Sequence, residues 1–154
     1  MNADIVTATK AALGGELEIQ LDAIRKLAEP LTEAQFWRKP IEPGNSFGHL
    51  VLHLTGNLSH FAGAQLGKTG YVREREREFT ETNPPAKAEA LSRLDAAVAI
   101  YRRVVESLPG EVLLTPHPEA TMGTVINALV RLVAHFALHR GQLSYIARFV
   151  QKGA

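Results

Sequence analysis

The sequence predicts an all-α protein built as a four-helix bundle, with a long crossover between the second and third helices. Apolar residues recur at helical spacing in four segments, and no segment alternates apolar and polar residues as a half-buried strand would. The connection across residues 68–85 is longer than a tight antiparallel hairpin needs. With 154 residues, 45% of them hydrophobic, we expect a single domain over residues 1–154 with a core of its own.

Two helices are predicted in the first half of the chain. The first runs from about Thr7 to Ala28 and stops before Pro30, which cannot continue a helix. Its inward residues are Leu17, Leu21, Ile24 and Leu27. The second opens at Ser46, a residue type that favours helix N-caps, and ends near Gly67. Its apolar face consists of Phe47, Leu50, Val51, Leu54, Leu58 and Phe61.

Two further helices are predicted in the second half. The third follows Pro84 and Pro85, a helix-start signal, and stops at Pro109. Its apolar positions are Leu91, Leu94, Val98, Tyr101, Val105 and Leu108. The fourth runs from about Thr121 to Val150. Its inward positions are Val125, Leu129, Leu132, Phe136, Leu143 and Ile146. Four amphipathic helices without a strand signal predict a helix bundle.

Composition and charge exclude several classes of function. The chain has 17 Lys and Arg against 16 Asp and Glu, a net charge of +1, and so lacks the positive surplus of a nucleic-acid-binding protein. The absence of cysteine excludes disulfides, thiolate zinc sites, iron–sulfur clusters and a cysteine nucleophile. Any metal site must therefore use imidazole and carboxylate.

No targeting or membrane-spanning segment is predicted. Asp4 stands where a signal peptide would have a basic flank. The most apolar stretch is interrupted by Asn127, Arg131 and His135, well short of a spanning helix. We therefore expect a cytoplasmic protein that binds no membrane and no nucleic acid and acts on a small-molecule substrate.

The six histidines include two pairs spaced four residues apart, His49 with His53 and His135 with His139. This spacing puts two imidazoles on one helix face, where both can reach one cation. On the fourth helix, His139 lies about 40° and His135 about 80° from the centre of the apolar stripe. On the second helix, His53 lies at about 120°, at the edge of the core, whereas His49 and His60 are expected toward solvent.

Three histidines from two helices would leave a coordination position open, as in catalytic rather than structural metal sites. From spacing alone, a metal site and a set of hydrogen-bonded core histidines fit equally well. Position 136 is Phe, so the HExxH pattern of metalloproteases is absent. His117, between Pro116 and Pro118, is expected to be an exposed loop residue.

The crossover contains the run VREREREF, in which three arginines alternate with three glutamates: Arg73, Glu74, Arg75, Glu76, Arg77 and Glu78. The first interpretation is a solvated surface segment that neutralises its own charge. The alternative is that one of these arginines holds an anionic group of a substrate. The sequence leaves both open.

Two stretches resemble the DinB/YfiT-like superfamily. HFALHRGQLSYIARF, at residues 135–149, is similar to the closing helix, whose HxxxHxGQ pattern supplies two metal ligands. NSFGHLVLHLTGN, at residues 45–57, is similar to the second helix, in which the His of HLxGN supplies the third. The similarity extends to FWR at residues 36–38, to RxREF ending at Phe79 and to INALVR, and most resembles a branch whose members have no assigned function.

This resemblance implies an up-down-down-up four-helix bundle, often dimeric, in which His53, His135 and His139 bind Zn or Ni. Characterised members include S-transferases that use bacillithiol and isomerases that use mycothiol. Others are known only as predicted metal-dependent hydrolases or as products of DNA-damage-inducible genes. No residue here matches a family assignment as general base or thiol-binding group, so the resemblance names no catalytic residue.

Two amides lie close to the predicted ligands in sequence. Gln142 follows His139 by three residues, and Asn57 follows His53 by one helical turn. Each could hydrogen-bond a ligand histidine or a metal-bound water, and each could equally be an ordinary interhelical or capping amide. Trp37 is expected to be a packing anchor, and Arg140 is expected in an ion pair or a subunit contact.

The leading hypothesis is a homodimeric metalloenzyme that uses one divalent cation, Zn or Ni, to activate water or a low-molecular-weight thiol, as a hydrolase or an S-transferase. Because the chain has no cysteine, any thiol would come with the substrate. The second hypothesis is a non-catalytic metal-binding or stress-response bundle that dimerises through a helix face. The third is an interaction module without a metal.

Overall fold

A computed structural model describes residues 3–152 and confirms the all-α class. The described residues form six α-helices: α1 (Ala3–Ala28), α2 (Glu33–Trp37), α3 (Phe47–Leu58), α4 (Arg77–Thr80), α5 (Lys87–Ser107) and α6 (Val125–Gln151). The four long ones, α1, α3, α5 and α6, correspond to the four predicted helices. No strand forms within residues 3–152. The short α4 lies inside the crossover between α3 and α5, where the sequence predicted no helix.

Side-chain caps and a glycine set the ends of the helices. Ser46 caps α3 as predicted, since its Oγ accepts a hydrogen bond from the His49 backbone N–H at 3.1 Å. The α3 helix then continues as a wider π-helical turn, Ser59–Ala64. α6 begins at Val125 rather than near Thr121, because Gly123 adopts a positive φ of 77° that separates a short 3₁₀ turn from the helix.

The four long helices surround one core. α1 contacts α5 and α6, and α3 contacts the same two helices. The predicted inward residues are buried, except that Leu27, Phe61, Leu91, Leu108 and Ile146 are only partly buried. Over residues 3–152, none of the helices has the length and apolar character needed to cross a membrane.

The short helix α2 ties the end of α1 to the end of α6. Gln35 Nε2 and Arg38 Nη2 both donate hydrogen bonds to the Val150 carbonyl, at 3.2 Å and 3.0 Å. Trp37, at the end of α2, contacts the ring of Phe36 edge-on, at 5.1 Å between ring centroids. Its ring also lies directly against Gly48 of α3. Trp37 therefore anchors the packing of α2 on α3, as predicted.

Gly48→Ala is expected to destabilise the protein by about 1–3 kcal/mol, the usual cost of overpacking a filled site. A Cβ at position 48 would lie 2.3 Å from Trp37 Cζ3, and an indole ring cannot yield as a flexible chain end can. Chemical denaturation followed by circular dichroism measures the loss, and Trp37 fluorescence reports whether the ring moves. An unchanged midpoint would show that the ring can shift at no cost.

Candidate metal centre

The imidazoles of three histidines meet between α3 and α6. His53 Nε2 lies 3.1 Å from His135 Nε2, and His135 Nε2 lies 2.9 Å from His139 Nε2. Among residues 3–152, this is the one group of three His, Asp or Glu side chains that is arranged to hold a single metal ion, with ligand atoms within 4.8 Å of one another. The structure thus brings together the three histidines that the sequence singled out.

The geometry of these nitrogens fits a divalent cation. Imidazole nitrogens bind zinc at about 2.0–2.1 Å, so two nitrogens of a tetrahedral site lie about 3.3 Å apart. The separations of 3.1 Å and 2.9 Å are close to this value. Three protein ligands leave one position of a tetrahedral ion for water or a substrate. An all-imidazole set accepts Zn, Ni, Cu or Fe, so it favours no single metal among these.

The outer ring nitrogens of two histidines have hydrogen-bond acceptors. His53 Nδ1 lies 2.8 Å from Glu78 Oε2, and His139 Nδ1 lies 2.6 Å from Gln142 Oε1. A carboxylate or amide oxygen only accepts, so each Nδ1 holds the proton and donates it. The lone pair is then on Nε2, the atom that faces the cluster. These two neighbours therefore hold His53 and His139 in the tautomer that a metal ligand needs.

His135 differs from the other two histidines. Its Nδ1 is buried and has no hydrogen-bond partner within the part of the chain that the structure describes. Burial lowers the pKa of His135 to about 4, together with the nearby charges of His139, His53 and Arg73. Burial also lowers the pKa of His139 and outweighs the hydrogen bond that His139 donates to Gln142, which acts in the opposite direction. Both rings are thus neutral at neutral pH, the form that binds metals.

A buried ion pair lies behind His53. Arg73 Nε donates to Glu78 Oε1 at 2.7 Å, and Arg73 Nη2 donates to Glu78 Oε2 at 2.8 Å. The Glu78 side chain is only 7% exposed and that of Arg73 only 10%. Burial alone would raise the pKa of Glu78, but the hydrogen bonds from His53 and Arg73 outweigh it and keep this pKa below its ordinary value. Glu78 is therefore an ionised carboxylate at neutral pH.

The interpretation of the crossover run as a solvated surface segment is wrong at Arg73 and Glu78. The remaining charges of the run are exposed, as that interpretation expected. Helix α4 begins at Arg77 and turns Glu78 toward α3, where Gly56 leaves room for its carboxylate. An alternating charge pattern does not show which side chain will turn inward, so sequence reasoning missed Glu78. A usable signal was Gly56 itself, because glycine inside a helix is costly unless something needs the space.

The two predicted amides have different surroundings. Gln142 is exposed and bonds His139, so this side of the cluster reaches solvent. Asn57 lies one turn from His53 with its Oδ1 buried, and no hydrogen-bond partner for that oxygen is found within residues 3–152. A contact from Gln142 to a candidate ligand is therefore present, whereas Asn57 has no hydrogen bond to the cluster.

Two histidines outside the cluster lie elsewhere than expected. His49 was expected toward solvent but is buried, because α2 and the crossover cover that side of α3. Its Nδ1 accepts from Ser46 Oγ at 2.7 Å, and its Nε2 donates to the Glu81 carbonyl at 3.3 Å. His117 was expected to be exposed but is buried as well, since its loop lies against the π-helical turn after α3 and its Nε2 donates to the Phe61 carbonyl at 3.1 Å. Both corrections depend on tertiary contacts.

A cavity of about 450 Å³ opens between α3, α5 and the crossover. Gly56 and Glu78 line it, but none of the three clustered histidines does. Leu52, Ala97 and Ile100 form part of its apolar wall, and Tyr71 and Val72 of the crossover close one side. The cavity therefore adjoins the ion pair behind His53 rather than the histidine cluster itself.

Comparison with known proteins identifies one family. The sequence model of the DinB superfamily matches residues 16–143, which is well over half of the chain. The matched region contains the three clustered histidines, Arg73 and Glu78. No curated protein matches the chain.

Proposed function

The chain belongs to the DinB superfamily, and we propose that it is a metalloenzyme in which His53, His135 and His139 bind one divalent cation, Zn or Ni. The observation that supports this most directly is the convergence of three Nε2 atoms, with separations of 3.1 Å and 2.9 Å along the cluster. Convergence of imidazoles whose outer nitrogens are held by a carboxylate and an amide is typical of metal sites.

The proposed reaction uses water or a low-molecular-weight thiol as the nucleophile, in a hydrolase or an S-transferase. A bound divalent cation lowers the pKa of water or of a thiol, so that a nucleophile is available at neutral pH. The three histidines present nitrogen ligands, while Glu78 and Gln142 hold two of the rings in place. The chain has no cysteine, so a thiol would have to arrive as a small molecule. The exposed Gln142 supports an approach to the site from the α6 side.

We propose that the four long helices form an up-down-down-up bundle, because contacts between their ends favour these directions. Lys10, near the start of α1, donates to the Leu108 carbonyl just beyond α5, which favours antiparallel α1 and α5. Gly67 follows α3 and its π-helical turn and lies against Val104 near the end of α5. This contact favours parallel directions for α3 and α5. His117, just before α6, contacts Phe61 in the π-helical turn that follows α3, which favours antiparallel α3 and α6.

Saturating Zn or Ni is expected to raise the thermal midpoint of metal-free protein by roughly 5–10 °C. A ligand at 100 times its Kd stabilises the folded state by about 2.7 kcal/mol, and a protein of this size shifts by about 2–4 °C per kcal/mol. Differential scanning calorimetry with metal analysis measures both the shift and the stoichiometry. Magnesium, which prefers oxygen ligands, is the matched control and should give no shift. A wild-type protein that retains no stoichiometric metal under loading would refute the proposal.

A second candidate function is a non-catalytic, metal-binding or stress-response bundle. It is favoured by the position of the 450 Å³ cavity, which none of the clustered histidines lines. Metal-loaded protein, assayed with low-molecular-weight thiols and an electrophilic acceptor, separates the two candidates. Turnover that disappears in a His135 variant supports the enzyme, whereas metal binding without any turnover supports the non-catalytic bundle.

We further propose a homodimer formed through the outer face of α6. Exposed apolar side chains follow one another along this helix: Val130, Leu138, Tyr145 and Phe149. Arg140 is exposed on another side of the same helix and has no ion-pair partner within residues 3–152. A second copy on this outer face would remove the four apolar side chains from water. Sedimentation of wild type and Tyr145→Glu distinguishes a dimer from a monomer.

A further inference from the structure

The three clustered histidines are not equivalent in their surroundings. The outer nitrogen of His53 donates to an ionised carboxylate, that of His139 to a neutral amide, and that of His135 to no group in the described part of the chain. A carboxylate is the strongest of these acceptors and makes the imidazole that donates to it a more basic ligand. The strongest outer contact of the cluster is therefore at His53, and the carboxylate comes from Glu78.

Glu78 belongs to the crossover and not to the long helices that bear the histidines. It is held in place by Arg73, whose guanidinium bonds both carboxylate oxygens at 2.7 Å and 2.8 Å. The next residue, Phe79, lies against the His53 ring at 4.8 Å between centroids. The crossover thus supplies both the hydrogen bond to His53 and a contact along its ring.

The stability of the fold does not by itself account for this buried pair. Taking two charges out of water costs about as much as their attraction returns, and apolar replacements are often as stable. In addition, α3 has a glycine at position 56, and a Cβ there would lie 2.1 Å from Glu78 Oε1. A helix that gives up about 1 kcal/mol of propensity to admit a carboxylate indicates a use for that carboxylate.

We propose that Glu78, fixed by Arg73, is the positioning residue of the metal site. It holds the proton of His53 on Nδ1, points Nε2 at the cluster and increases the donor strength of this ligand. This role rests on the proposed function, because Glu78 acts through His53, a ligand of the cation. The crossover then contributes to the metal site, since its six alternating charges include both Glu78 and Arg73.

Glu78→Gln tests the proposal, because it keeps the shape and an accepting oxygen but removes the charge. The dissociation constant for zinc, measured by competition with a chromophoric chelator, is expected to rise by about 10–100-fold. Glu76→Gln is the matched control, an exposed glutamate in the same run, and should leave the zinc affinity unchanged. A purely structural Glu78 would lower the unfolding midpoint without changing the zinc affinity of the folded protein.

Arg73→Lys provides a second and milder measurement if Glu78→Gln does not fold. Lysine keeps a positive charge but cannot make the bidentate hydrogen bonds that arginine makes to the carboxylate. Zinc affinity should therefore fall by about tenfold, the lower end of the range expected for Glu78→Gln. Wild-type protein without zinc binding would overturn the proposed function together with this role. Zinc bound by wild type, and equally well by the two variants, would overturn the role of Glu78 alone.

Discussion

His135→Leu is expected to abolish stoichiometric binding of a divalent cation. His135 Nε2 lies between the other two imidazole nitrogens, at 3.1 Å from His53 and 2.9 Å from His139, so its loss leaves two ligands. Removing a direct ligand should lower the metal affinity by more than the roughly 10–100-fold that is typical when a residue that only orients a ligand is removed. Metal analysis after loading and desalting measures the loss. His60→Ala is the control, since His60 contacts Phe61 edge-on, at 4.8 Å between ring centroids, and lies outside the cluster.

The same substitution is expected to change the stability of the metal-free protein by no more than about 1 kcal/mol. His135 Nδ1 is buried without a partner among the described residues. A buried, unsatisfied polar group costs about 1–3 kcal/mol, and leucine fills a similar volume without that penalty. Leucine also removes the contacts of His135 Nε2 with His53 and His139, which offsets this gain. Urea denaturation in the presence of a chelator compares the two proteins. If His135→Leu binds a full equivalent of zinc, the ligand assignment fails. If the variant unfolds at a much lower urea concentration than wild type, the contacts of His135 Nε2 stabilise the fold by more than the unsatisfied Nδ1 costs.

Gly56→Ala is expected to destabilise the fold by about 3 kcal/mol and to weaken metal binding as well. The new Cβ would lie 2.1 Å from Glu78 Oε1 and 2.8 Å from its Cδ. A free glutamate would swing aside, but this one is fixed by Arg73 and His53 through hydrogen bonds of 2.7 Å to 2.8 Å. Moving it leaves buried charges unpaired, which outweighs the gain in helix propensity.

Gly15→Ala in α1 is the matched control for this second prediction. Position 15 is exposed inside a helix, and an added Cβ would meet nothing within 4 Å. Alanine there should stabilise the protein by about 1 kcal/mol, so the two glycine substitutions have opposite signs. Chemical denaturation and zinc titration of both variants measure the contrast. Equal stability of the two variants would mean that the Glu78 carboxylate can move to another position without a loss of stability.

The helices and two of the clustered histidines follow directly from local sequence. Periodic apolar residues, the Ser46 cap and the prolines before and after α5 act over a few residues, so the four long helices were predictable. His135 and His139 fall near the apolar stripe of one helix, and helical rotation alone turns both toward the bundle. For His53, helical rotation predicted only a position at the edge of the core. The resemblance to the family identified it as the third candidate ligand.

The sequence by itself therefore determined the all-α class, the four long helices, and His135 and His139 as candidate ligands, because each of these depends on spacing along one helix. The family resemblance added His53. Only the tertiary structure decided that Glu78 and Arg73 are buried behind His53 and that His49 and His117 are hydrogen-bonded inside the fold. It also decided that Asn57 Oδ1 is buried without a hydrogen-bond partner within residues 3–152. These facts depend on which distant segment covers a helix face. A loop of alternating charges has no periodic burial of its own, so the space beside Gly56 selects the side chain that turns inward.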